Sequence, residues 1–234
     1  MLKDKTPFTV RTLIRPLAGL VCMSLILLWG HTSHAQTTQT TGNPTVGEKI
    51  ASAYGCAQCH SFDGAILKPG IPNLTGQKAI FLARTMMHMR LETITDKDGK
   101  LLIYRHHPVM TEILNTLSPW QIQQIAAYYE NLPCIDQSSE QTDSLPPRGV
   151  DHCVTCHGGK DSSNPWQDTP YLAGQDETYL KQQIHQLWKS QAHLHAGPKR
   201  FHRLAGIMFF DGHRPYLDAY AEYYAGLSCA LRNP

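Results

Sequence analysis

The sequence predicts an all-α protein made of two tandem, small helical units. The first observation behind this is a repeat: three landmarks recur in one order at nearly one offset. Cys56-Ala57-Gln58-Cys59-His60 returns 97 residues later as Cys153-Val154-Thr155-Cys156-His157. Ile71-Pro72-Asn73-Leu74-Thr75-Gly76-Gln77 returns 98 later as Thr169-Pro170-Tyr171-Leu172-Ala173-Gly174-Gln175, and Tyr128-Tyr129-Glu130-Asn131-Leu132-Pro133-Cys134 returns 95 later as Tyr223-Tyr224-Ala225-Gly226-Leu227-Ser228-Cys229. The second is that apolar residues between the landmarks fall at helical spacing. The third is that no run alternates as a strand would.

Residues 1–16 carry Lys3, Lys5, Arg11 and Arg15 against Asp4, and an apolar run from Leu17 to Trp29 follows. Ser33-His34-Ala35 closes it with small residues, so 1–35 reads as a secretory signal peptide. The run is shorter than the roughly 20 residues of a membrane span; an uncleaved leader that anchors the chain is the alternative. Val21 before Cys22 argues against a lipoprotein site. Removal of the leader leaves 199 residues with 17 Lys and Arg against 18 Asp and Glu. A chain so nearly neutral is not a polybasic nucleic-acid binder.

The first unit spans 36–135. Thr45 with Glu48 reads as a capping box opening a helix that runs to Cys56. A middle helix covers Ile80 to Leu91. Asp96 to Lys100 reads as a turn, and its Asp-x-Asp-Gly lacks the other ligands of a calcium loop. Ser118, Pro119 and Gln121 open the last helix, with Ile122, Ile125, Ala126 and Tyr129 as its apolar stripe. Asp136 to Pro147 is polar, ends in a proline pair and reads as a linker. The second unit, 148–234, keeps only Arg148 to His152 ahead of its cysteine motif, so its N-terminal helix is truncated. Its middle helix covers Thr178 to Lys189, and Leu217, Tyr220, Ala221 and Tyr224 form the terminal stripe. A unit of about 95 residues with three short helices has a modest core, which a large buried cofactor would complete.

Cys-x-x-Cys-His is the attachment signature of c-type haem. Two thiols one helical turn apart can add to the vinyl groups on one porphyrin edge, and the next histidine then lies under the iron. The rivals are one zinc site shared by both cysteine pairs and dithiol redox chemistry, which lacks its βαβ context. Two copies within a repeat behind an export signal predict two covalently attached haems c, on Cys56 and Cys59 and on Cys153 and Cys156. His60 and His157 are the proximal iron ligands in that reading.

A thioether sulfur opposite histidine raises the potential and suits one-electron transfer. Met110 is the candidate in the first unit, because Met86, Met87 and Met89 lie in the amphipathic middle helix and read as core. Met208 stands 33 residues after Gln175, as Met110 does after Gln77. Counting back from the paired tyrosines instead sets Ala205 opposite Met110. His202 is therefore the alternative ligand, ahead of His185, His193, His195 and His213, with an open site as a further option. Cys134 and Cys229 hold equivalent repeat positions. If the units pack about a pseudo-twofold axis they meet there as an interdomain disulfide; free thiols or pairing with a partner's cysteine are the alternatives.

The two-unit plan resembles the dihaem cytochrome c4 family. The residues that carry the likeness are Cys56 to His60, Cys153 to His157, Pro72-x-Leu74-x-Gly76-Gln77, Pro170-x-Leu172-Ala173-Gly174-Gln175 with Tyr179-Leu180-Lys181-Gln182-Gln183, Met110, and Ala126-Ala127-Tyr128-Tyr129. The resemblance implies two tandem class I cytochrome c domains, face to face, with haem propionates near their interface. It implies a periplasmic electron carrier rather than an enzyme, passing single electrons from a quinol-oxidising complex towards a terminal oxidase or other acceptor. The alternative is the electron-accepting cytochrome subunit of a periplasmic dehydrogenase, such as a flavocytochrome c sulfide dehydrogenase. A dihaem peroxidase would need an open second iron site. The stretch from Ser190 to Arg203, rich in His, Lys and Arg, departs from the family pattern.

Overall fold

A computed structural model describes residues 42–90, 94–95, 101–102, 107–136, 145–160, 163–164, 166–189 and 214–232. All of these belong to one compact unit. The leader, Met208, His202 and the stretch from Ser190 to Arg203 lie outside the described residues, as do 137–144 of the expected linker.

Helix α1 (Pro44–Ala53) begins two residues earlier than the Thr45–Glu48 pattern suggested. Its N-cap is Asn43, whose side chain accepts from the Thr45 and Val46 amides. Pro44 at the first helical position is already bent for the helix and gives up an amide that would have lacked a partner there. Asn43 is anchored in turn, its amide donating to Gln124 Oε1 at 2.7 Å. A four-residue turn of helix, α2 (Ala57–His60), carries the second cysteine and the histidine of the first motif. Helix α3 is Ala79–Arg90.

A two-residue antiparallel ladder pairs β1 (Ile94–Thr95) with β2 (Leu101–Leu102) across the expected Asp96–Lys100 turn. Helix α4 (Pro108–Thr116) was not anticipated, and Met110 lies in its first turn. Its start signals are Pro108 at the first position and His107 as N-cap, an uncommon capping residue. Helix α5 (Pro119–Asn131) carries the expected capping box, Ser118 Oγ receiving the Gln121 amide and Gln121 Oε1 receiving the Ser118 amide.

In the second half, α6 (Asp151–His157) holds the second motif and α7 (Glu177–Lys189) is the middle helix. A 3₁₀ turn leads into α8 (Leu217–Ala225), and another, Cys229–Arg232, ends the described chain.

Two separate cores result. The first joins Ala51, Leu82, Leu114, Leu117, Ile122, Ile125 and Tyr129. Around it pack Met86, Met87 and Met89, in the core role expected of them. The second joins Val150, Leu180, Leu217, Tyr220, Ala221 and Tyr224. Gly47 lets α1 cross α5 at backbone contact, because a β-carbon there would fall on the Gln124 carbonyl. No described helix is long and apolar enough to cross a membrane.

Candidate haem sites and the seam between them

Each Cys-x-x-Cys-His motif ends its helix on a left-handed residue. That residue is Ser61 (φ 56°) after α2 and Gly158 (φ 76°) after α6. The chain then turns back so that a proline carbonyl reaches the motif histidine. His60 Nδ1 lies 3.0 Å from Pro72 O, and His157 Nδ1 lies 2.9 Å from Pro170 O. A carbonyl only accepts, so Nδ1 carries the proton in both rings and Nε2 keeps its lone pair. Burial lowers the basicity of both imidazoles, with Pro72 and Pro170 opposing the shift. A neutral imidazole oriented through Nδ1, with Nε2 as its basic nitrogen, is what an iron ligand requires.

The four motif cysteines form no disulfides. Burial raises the Cys56 thiol and pushes Cys153 up to about 11. Reactive dithiols have depressed values, a feature that neither Cys56 nor Cys153 shares. Nor do the two pairs converge: among the described residues no three His, Cys, Asp or Glu side chains gather as a metal-ligand set. The single shared zinc site loses its geometry. Two paired thiols beside an Nδ1-anchored imidazole, once in each half, fit haem c.

Met110 is half-buried against the first core, and its amide is capped by His107 Nδ1 at 3.5 Å. His107 stands near enough to His60 to lower its basicity further. The turn that carries Met110 is thus brought to the His60 side of the first half.

The Leu-x-Gly-Gln landmarks form the seam. Gln77 Nε2 donates to Tyr171 O and its Oε1 receives the Tyr171 amide, both at 2.9 Å. Gln175 does the same to Asn73, donating at 2.9 Å and accepting at 2.6 Å. Tyr171 and Asn73 are equivalent repeat positions, so each glutamine reads the other half's copy of one backbone site. Such reciprocity marks a pseudo-twofold axis. The glycines before them are needed for the approach. Gly76 and Gly174 have φ of 64° and 61°, and a β-carbon on Gly174 would stand 2.5 Å from Cys229 Cβ.

On that axis the structure joins Cys134 to Cys229, with Cα atoms 5.5 Å apart. Asn73 Nδ2 and Thr75 Oγ1 lie 3.3 and 3.1 Å from Cys134 Sγ. Asp136, read as the start of the linker, is pinned there: its carboxylate accepts from Ser228 Oγ and the Cys229 amide, both at 2.6 Å. Arg232 is buried across the seam, donating to Ala173 O at 2.6 Å and to Asn73 O and Thr75 O at 3.3 and 3.2 Å. Burial draws its guanidinium down to about 10, against the pull of Asp136.

Sequence reasoning found the repeated glutamines without their role. It also missed Arg232 and Lys78. The signal for Lys78 lay in the repeat itself, where Lys78 and Asp176 follow the paired glutamines with opposite charge.

The fold and its two motif sites define a c-type cytochrome of class I architecture, present twice. No family model matches the chain. A cytochrome c4 of Pseudomonas aeruginosa is 28% identical over 173 residues, covering 69% of this chain and 78% of that protein. Cytochrome c-554(548) of Halomonas halodenitrificans is 36% identical over 91 residues, covering 38% of this chain and 96% of that protein, a span close to one repeat. A thiosulfate dehydrogenase electron acceptor of Stutzerimonas stutzeri is 25% identical over 226 residues, covering 91% and 94%. The crystal structure of reduced recombinant cytochrome c4 from Pseudomonas stutzeri superposes with a TM-score of 0.62 at 22% identity, over 80% of this chain and 99% of that one. The chain belongs to the dihaem cytochrome c4 family and carries two covalently attached haems c.

Proposed function

We propose that the mature protein is a periplasmic carrier of single electrons. It takes them from a respiratory donor such as a quinol-oxidising complex and delivers them to a terminal oxidase or another acceptor. In this reading residues 1–35 are an export signal, 36–135 and 148–234 are the two haem domains, and 136–147 link them. Cys56 and Cys59 hold one haem and Cys153 and Cys156 the other. His60 and Met110 ligate the first iron; His157 and Met208, with His202 as the alternative to Met208, ligate the second. When bound, each haem supplies the Fe(III)/Fe(II) couple. The chain's residues attach it, fix the imidazole through Pro72 or Pro170, and exclude water.

The observation that carries this reading is the duplicated motif with its histidine proton committed to a proline carbonyl. A carrier also needs six-coordinate iron, with no position open to substrate. The test is carbon monoxide and peroxide binding to the purified protein, together with haem content by pyridine haemochrome. Two haems that stay low-spin and refuse both ligands are expected. A high-spin haem that turns over peroxide would replace the carrier with an enzyme.

A second reading is favoured by the long alignment with the thiosulfate dehydrogenase electron acceptor. Here the protein is the electron-accepting subunit of a dehydrogenase. Thiosulfate-dependent haem reduction through a co-purifying dehydrogenase separates this from a quinol-fed carrier.

A further inference from the structure

Lys78 is the least expected residue of the seam: a lysine only 7% exposed, in a protein with ample surface for it. Its Nζ donates to Asn164 O at 3.1 Å and to Trp166 O, and lies 4.6 Å from the centroid of the Tyr171 ring. All three partners belong to the second half. Asn164 in turn donates through Nδ2 to Thr169 O at 3.0 Å and to Pro170 O at 3.2 Å. Pro170 O is also the atom that receives the His157 Nδ1 proton. Asn164 therefore links the two halves: its backbone carbonyl receives the ammonium of the first, and its side-chain amide shares an acceptor with the imidazole of the second motif.

Among the described residues the other half shows no such link. Among the described residues Pro72 O receives only the His60 proton. The seat equivalent to Lys78 holds Asp176, which accepts from the Gly70 amide across the seam at 2.6 Å and caps its own helix through the Tyr179 amide at 2.7 Å. With lysine in that seat, α3 has lost its local cap. Glu130 of α5 replaces it, accepting from the Ala79 amide at 2.8 Å. The chain thus keeps a lysine where a capping residue would be simpler.

We propose that Lys78 is a positioning residue for the second haem, acting from the first domain through Asn164 on His157. This rests on the reading of His157 as an iron ligand. A carbonyl that already accepts from Asn164 is a weaker acceptor for His157 Nδ1–H, so the imidazole stays less electron-rich. The Lys78 charge acts in the same sense through a little-hydrated path. Both favour Fe(II) and raise the potential of the second haem alone.

The experiment is a redox titration of the holoprotein with each haem followed separately by its paramagnetic NMR or EPR signals. K78M is expected to move the electron's partition between the haems about tenfold towards the first, equivalent to about 59 mV for a one-electron couple. The second haem shifts down and the first stays in place. N164L, which removes the second donor to Pro170 O, shifts the same haem in the same direction, and K78R restores most of the parent value. Ser228→Ala, which removes a hydrogen bond to Asp136 at the far end of the seam from Lys78, Asn164 and Pro170, leaves the partition unchanged. Equal movement of both haems, no movement, or a shift that N164L does not share overturns the proposal. A protein with fewer than two haems, or one in which H157A keeps a normal low-spin second haem, instead refutes the underlying ligand reading.

Discussion

The two halves hold the same motif, the same proline latch and the same terminal helix, yet they secure that helix differently. In the first half α1 lies across α5, with Gly47 against the Gln124 backbone. In the second, no described helix precedes α6, and two tyrosine hydroxyls do the fastening. Tyr220 Oη donates to Arg148 O at 2.8 Å, and Tyr224 Oη donates to Gly158 O at 3.1 Å. Burial holds both phenols protonated as donors, pushing Tyr220 up to about 12 and Tyr224 higher. In the first half Ile125 stands where Tyr220 does, and the buried Tyr129 hydroxyl has no hydrogen-bond partner among the described residues. With no described helix in the place of α1, the second half is fastened by directed bonds to its own backbone, and it leans on its neighbour through Gln77, Lys78 and Arg84. Arg84 reaches Asp168 by a 2.9 Å ion pair and a 2.7 Å bond to its carbonyl. That pair is more than one-third exposed on both sides, so its contribution is small.

If α1 is the first half's distinctive support, breaking its crossing should be the costliest single change. Gly47→Ala puts a methyl into backbone atoms of α5, and overpacking costs about 1–3 kcal/mol or more. Alanine returns up to about 1 kcal/mol of helix propensity. With the methyl only 2.0 Å from the Gln124 carbonyl the upper end of the overpacking range applies, so a net loss of about 2 kcal/mol or more should lower Tm by roughly 4–8 °C or more for a chain of this size. Hydrogen exchange should show the loss in α1 and α5 while α8 keeps its protection. Uniform loss across both halves would mean that the crossing supports the whole molecule and that the contrast is false.

The glutamines test the opposite idea, that the seam is symmetric. Gln77→Leu takes the seam partner from the Tyr171 carbonyl and amide, and Gln175→Leu takes it from the Asn73 amide and leaves the Asn73 carbonyl only the longer 3.3 Å bond from Arg232, at about 1–3 kcal/mol per variant. Equal losses in urea midpoint are expected, and the double variant should lose less than the sum because both act on one interface. Unequal losses would show that Lys78 and Arg232 have made one side of the seam dominant.

These features were legible in the sequence to different degrees, for physical reasons. The helix starting at Ser118 was readable because its capping box is local and complete within four residues. The stripe of Leu217, Tyr220, Ala221 and Tyr224 was readable because burial on one face leaves a 3.6-residue period. Helix α1 was found but its start misplaced, because Asn43 with Pro44 outcompetes Thr45 as a cap. Helix α4 was missed because a histidine cap carries almost no sequence signal. The seam was half-legible. Repetition flagged Gln77 and Gln175, but their partners are backbone carbonyls and amides, which every residue has. Lys78 could be singled out only by noticing where the repeat fails to match.

That mismatch gives the smallest effect and the most specific test of the asymmetry. Burial draws the Lys78 ammonium from its ordinary 10.5 down to about 8, against opposing pulls from Asp168 and Glu130. Below pH 8 folded and unfolded chains both hold the proton, and this residue adds no slope. Between pH 8 and 10.5 the unfolded chain holds a proton that the folded chain has released, so stability rises with pH across that window. From pH 8 to 9 the gain is about 1 kcal/mol. Urea midpoints of the holoprotein and of K78M, measured in parallel from pH 7.5 to 10, isolate this contribution because other groups titrate alike in both. The difference should grow in favour of the parent as pH rises. A flat difference would mean that Lys78 Nζ is solvated in the native protein, which would remove the dry path by which its charge reaches the second half.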